Sequence, residues 1–145
     1  MKIIDILAPL GLTLCAAFPA FAACSDPAGP GVDWTGCNLA GMNLSAANLP
    51  GANLTGAALQ SADMTNVNLT NANLTGASMA WSDLTNANLT AANLTGANMQ
   101  VTILVYANLM HANLKNVDWA GTDLRGATWN DGHFCAETSP EGACD

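Results

Sequence analysis

From residue 34 to residue 134, every position whose number ends in 4 or 9 is apolar. Most are Leu; the others are Trp34, Met64, Met79, Met99, Trp119, Trp129 and Phe134. Two residues before them the position is usually small, as at Ala47, Ala52, Ala72, Ala87 and Ala112. Asn or Asp usually stands between the two, and Thr often follows the Leu. Alternation of this kind turns the large and small apolar side chains to one side of an extended segment and Asn to the other. Gly or Asn commonly comes next, and both tolerate the positive φ that a type II turn needs at its third residue. Pro50-Gly51 is a turn pair of that type. The predicted unit is a short strand and a corner, repeated every five residues.

A longer period lies over the short one. N-L-T-G-A stands at 53–57, 73–77 and 93–97, and M-T-N-V-N-L-T at 64–70 returns as L-T-N-A-N-L-T at 84–90. Each return comes 20 residues later. Fixed-period similarity marks a stacked architecture, in which a unit buries its apolar side only against its neighbours. Four pentapeptides fill each 20-residue period. The pattern A-(N/D)-L-x-x resembles the pentapeptide-repeat family over roughly two thirds of the chain. That resemblance implies an all-β fold, a right-handed quadrilateral β-helix of about five coils. The expected organisation is a signal peptide at 1–23, an N-terminal lead-in or cap at 24–33, the β-helix at 34–134 and a C-terminal cap at 135–145. The ends of such a stack expose apolar side chains and strand edges. Trp34 at one end, and Trp119, Trp129 and Phe134 at the other, are expected to plug it.

The leader changes the setting of the chain. Lys2, the apolar run 6–18 and Ala20-Phe21-Ala22 fit a secretory signal with a small-x-small cleavage site. An uncleaved anchor is the alternative, against which Pro9, Pro19 and the short apolar run argue. Lipidation at Cys24 is another, with Phe21 departing from the best lipobox. The expected location is therefore the bacterial periplasm or the extracellular space, with no membrane attachment after cleavage unless Cys24 is lipidated. Cleavage would remove Cys15 and leave Cys24, Cys37, Cys135 and Cys144, an even number that suggests disulfides in an exported chain. Of the three possible pairings, Cys24–Cys37 with Cys135–Cys144 is favoured, one staple at each end.

Charge and composition exclude more than they assign. The formal net charge is −8, and charged residues make up only 10% of the chain. The cations are Lys2, Lys115 and Arg125, too few to neutralise nucleic-acid phosphates. His111 and His133 accompany no nucleophile and carboxylate at a recognised spacing. His133 near Asp131 and Cys135 would allow a metal site to be imagined, but an end-cap histidine beside a disulfide is the favoured reading. No enzyme activity, cofactor or metal is expected. The N-L-T triplets that match glycosylation acceptors are a by-product of the repeat.

Three functions from different classes remain. A column of Thr35, Thr55, Thr75 and Thr95 beside Asn53, Asn73, Asn93 and Asn113 looks like the surface of some ice-binding proteins. The structural alternative is that Thr suits this turn, and that Asn and Thr ladders bond between coils. The family resemblance brings in the nucleic-acid mimics that act on DNA gyrase, yet residues 34–114 contain only Asp63 and Asp83 as acids. The preferred reading is a non-enzymatic protein-interaction or scaffold module with an unknown protein partner or a homodimer. Its candidate surface is where the repeat departs from Asn and Thr: Trp81, Val101, Ile103, Val105 and Tyr106. The 20-residue register puts Val101 beside Trp81 and inserts Ile103 into the acidic column Asp63, Asp83, Asp123. An apolar patch with a polar rim marks an interface. The alternative is that the tail, 136–145, folds over it.

Overall fold

The structure, a computed structural model, describes residues 24–136 and Cys144. The leader expected at 1–23 lies outside the described residues. Every parallel bridge joins a residue to the one 20 positions later, from Asp33↔Asn53 to Asn108↔Thr128. The backbone bonds follow the same step. Leu54 N–H donates to the Asn73 carbonyl at 2.7 Å, Asn73 N–H to Ala52 at 2.9 Å, and Gly56 N–H to Thr75 at 2.9 Å. Inner coils thus find their backbone partners on the coils above and below, which is how isolated bridges satisfy buried amides.

The corners explain the five-residue unit. Each residue ending in 1 or 6, from Gly31 to Gly126, has positive φ. Across one such corner Ala57 N–H donates to the Leu54 carbonyl at 3.0 Å, with Gly56 at φ 64 between them. This is a type II turn, and Pro50-Gly51 makes the same bond from Ala52 N–H to Leu49. Between corners, Leu54, Leu74 and Leu94 with Ala52, Ala72 and Ala92 are fully buried, so large and small inward positions form one continuous core.

The outward Asn and Thr do something other than the expected ladder. Thr75 donates both its backbone N–H, at 3.2 Å, and its hydroxyl, at 2.7 Å, to Asn73 Oδ1. The same pair of bonds joins Thr55 to Asn53 and Thr95 to Asn93. The carboxamide sits two residues back, where an Asx turn presents it ready-made. Among the described residues, bonding from one Asn side chain to another across coils occurs between Asn68 Nδ2 and Asn48 Oδ1, at 2.8 Å. Thr thus suits its turn as expected, while the expected bonding of Thr between coils gives way to bonding within the turn.

Both ends are stapled. Cys24 pairs with Cys37 and Cys135 with Cys144, at Cα separations of 5.5 and 4.8 Å. With Cys24 in a disulfide, its sulfur has no valence left for a lipid thioether. Trp34 is buried under the N-terminal end, its indole N–H without a partner among the described residues. Trp119 and Trp129 pack against the core at the other end, ring centroids 5.3 Å apart. Phe134 does not join them: it is 73% exposed. The chain leaves register at Gly132, φ 95, and returns antiparallel, pairing Phe134 with Thr128. Paired residues share a face of a ladder, and Thr128 faces outward, so Phe134 does too. Cys135 takes the buried place, donating its N–H to Ala127 at 2.8 Å and accepting from Gly126 at 3.0 Å.

Ala72→Leu, at a buried site, should destabilise the fold by about 1–3 kcal/mol through overpacking, whereas Asn73→Leu should cost about 1 kcal/mol, the loss of one turn acceptor. Urea titration of both variants checks this; equal losses would contradict the inward assignment.

Candidate functional site

The corner geometry sets which side chains project. Trp81, Val101 and Tyr106 occupy corners, at φ 65, 54 and 58. Their exposures are 67%, 40% and 56%. Left-handed backbone is ordinary for Gly or Asn and unfavourable for bulky or β-branched residues. Other corners in these two columns hold Gly41, Ala46, Ser61, Asn66, Asn86, Gly121 and Gly126. Three positions of strain therefore gather around one face, and strain of that kind concentrates where a surface has a task.

Between the two corner columns lies the flat outward column. Ile103, 40% exposed, bridges both Asp83 and Asp123, as the register required. Val105 is half-buried beside Tyr106. Gly121, above Val101, leaves room there: a Cβ on it would stand 3.4 Å from Val101 Cγ2. The apolar strip thus has a low rim on its C-terminal side. A covering tail, 136–145, falls almost wholly outside the described residues.

The acidic column serves the turns. Asp63 and Asp83 accept from the amide and hydroxyl of Thr65 and Thr85, as Asn does elsewhere. Asp123 instead binds Arg125, Nη2 to Oδ2 at 2.6 Å. Hydrogen bonding from the Arg125 side chain holds the Asp123 carboxyl below the usual carboxylate range. Asp83, beside the strip, accepts from the Thr85 amide and hydroxyl and has no cation against it among the described residues.

Sequence reasoning missed a second, inward column. Ser82, Thr102 and Thr122 occupy the small position and are buried. Thr102 Oγ1 donates to the Met79 carbonyl at 2.9 Å, and Thr122 Oγ1 to that of Met99 at 2.7 Å. Ser82 Oγ also donates to Met79. The signal was present: these hydroxyls replace Ala at 20-residue spacing. They lie directly after the Trp81, Val101 and Gly121 corners and tie the coils together there.

His111 sits on an exposed corner, φ 62. His133 lies beside Asp131 and the Cys135–Cys144 disulfide. Among the described residues no group of three or more metal-ligating side chains is gathered, and no helix is long and apolar enough to cross a membrane.

This architecture of stacked square coils defines a class. A profile for pentapeptide repeats matches in 8 copies, over residues 31–60, 62–100 and 107–128. The chain belongs to the pentapeptide-repeat family, whose members' right-handed quadrilateral β-helix it shares. It is similar to HetL, a pentapeptide repeat protein involved in heterocyst differentiation regulation in the cyanobacterium Nostoc sp. strain PCC 7120. That match has 30% identity and a TM-score of 0.59, covering 72% of this chain and 52% of HetL. It is also similar to alr5209, another Nostoc pentapeptide repeat protein, at 35% identity and a TM-score of 0.51, covering 52% of this chain and 62% of that one. This chain spans only about half to three fifths of either relative's length. No curated protein matches it.

Trp81→Asn should leave folding intact and raise the unfolding free energy by about 1 kcal/mol, because Asn accepts left-handed backbone and little burial is lost. Denaturant titration measures it, and a loss of stability would show that packing holds Trp81 in place. A pH series tests the Asp123 pair. Its folded pKa lies below the unfolded value, so its contribution is present above about pH 4 and is lost as pH falls through the folded pKa. Asp123→Asn should therefore lose less stability than the parent as pH falls below about 4.

Proposed function

We propose that this protein is an exported, non-enzymatic interaction module that presents the face of Trp81, Val101, Ile103, Val105 and Tyr106 to a protein partner. The observation that carries the reading is the gathering of exposed apolar side chains, three of them on positive-φ corners, on a prism whose outward columns are mostly Asn and Thr. Trp and Tyr are the residues that most often dominate interface energy. A net charge of −8 and Asp83 beside the strip favour a partner that surrounds an apolar contact with Lys or Arg. The scaffold, about five coils, is the rigid support such a face needs. Two disulfides and the leader support an exported setting.

Ice binding draws less support, because the hydroxyls of Thr55, Thr75 and Thr95 each donate to their own Asn. Mimicry of nucleic acid draws less still, since Asp63 and Asp83 are too sparse to imitate a phosphate backbone.

The test is the double variant Val101→Asn with Tyr106→Asn, which places an αL-tolerant residue at each corner and leaves the core alone. It should fold like the parent and lose a partner that the parent captures from envelope or culture fractions. That capture should weaken in high salt, as a charge-assisted contact does. Sedimentation of the parent alone identifies the homodimer outcome. A folded double variant that associates and captures like the parent would remove this face as the functional site.

A further inference from the structure

The antiparallel return at the C-terminal end brings an acid, an imidazole and a disulfide into line. Asp131 Oδ1 accepts the His133 backbone N–H at 3.2 Å and also bonds His133 Nδ1. The His133 carbonyl is fixed by Trp129 N–H at 2.7 Å. With Nδ1 turned to the carboxylate, the ring's other nitrogen, Nε2, faces the disulfide, 3.3 Å from Cys144 Sγ. Cys135 is buried, Cys144 is half-buried, and His133 and Asp131 are exposed. The Cys24–Cys37 bridge at the opposite end has no histidine beside it among the described residues.

We propose that Cys135–Cys144 is a thiol–disulfide exchange site whose reaction partner is a dithiol. Cys144 is the exchanging sulfur, Cys135 the buried resolving one, and His133 the group that stabilises the Cys144 thiolate. This goes beyond the interaction face and does not depend on it.

The chemistry follows from access and charge. One thiolate of the dithiol attacks Cys144 Sγ, the accessible sulfur. The Cys135–Cys144 bond breaks, and Cys135 leaves as a thiolate that takes a proton. The reagent's second thiolate then attacks the reagent sulfur of the mixed disulfide. Cys144 leaves as a thiolate beside His133, whose Nε2 holds the second proton. The dithiol is oxidised to a disulfide, and its two electrons reduce the protein bridge. An adjacent imidazolium lowers a thiol pKa, so it both improves Cys144 as a leaving group and keeps it nucleophilic for the reverse reaction. Asp131 is a positioning residue, since its carboxylate holds Nδ1 and so turns Nε2 toward Cys144.

The experiment uses the full oxidised chain under native conditions. It is treated with limiting dithiothreitol, quenched with an alkylating reagent at intervals, and mapped by peptide mass. Cys135–Cys144 should open before Cys24–Cys37. In the fully reduced chain at about pH 6, Cys144 should react with iodoacetamide about tenfold faster than Cys24 or Cys37. His133→Gln should remove that advantage and leave the Cys24 and Cys37 rates unchanged, a pattern that a structural role for His133 would not produce. A variant whose Cys144 keeps the parent rate overturns the proposal. If His133→Gln fails to fold, the parent decides: Cys24–Cys37 opening first, or both opening together, also overturns it.

Discussion

Each coil depends on a bond that spans only three residues of chain. The amide of Ala57 reaches the carbonyl of Leu54, and equivalent bonds close the other corners. In the type II turn used here, the residue before the amide adopts positive φ. That condition, met from Gly31 to Gly126 at every fifth residue, bends the chain at regular corners. Regular corners bring residue and residue plus 20 into bonding distance, and that ladder in turn buries Leu and Ala on the inside. Core, ladder and surface are all consequences of the turn.

Because the ladder uses backbone groups, the outward side chains are free to vary. Asn, Asp and Thr mostly serve the turns, each carboxamide or carboxylate holding the amide two residues on. Freedom at the corners has a limit, since left-handed backbone favours Gly and Asn. Trp81, Val101 and Tyr106 go against that preference on adjacent corners, and the buried hydroxyls of Ser82, Thr102 and Thr122 lie just inside one of those columns. The inner bonds to Met79 and Met99 reinforce the wall where the outer surface carries strain.

A stack with no natural stop must be closed by other means. The N-terminal end uses Trp34 and the Cys24–Cys37 staple. The C-terminal end uses paired indoles and a chain reversal that lays Cys135 along Ala127. Reversal covers part of the open edge, and it also fixes His133 between Asp131 and Cys144. The closing device and the candidate chemistry of the disulfide thus share one turn.

Much of this was legible in the residues themselves. Period five defined strand and corner, period 20 defined the register, and inward Leu and Ala followed from alternation, because in a repeat each local preference is restated at every coil. The same register placed Ile103 between Asp83 and Asp123 and put Val101 next to Trp81. What escaped was whatever the period does not govern. Thr suited its turn as expected but did not also bond between coils, because a local acceptor two residues away is met before one on the next coil. Phe134 kept its place in the numbering but lost its place in the core, because reversal of the chain at Gly132 reassigns which side chains face in. An end-cap His133 beside a disulfide was expected, but that its Nε2 meets Cys144, 11 residues on, rather than the nearby Cys135 was decided only by the folded end of the stack.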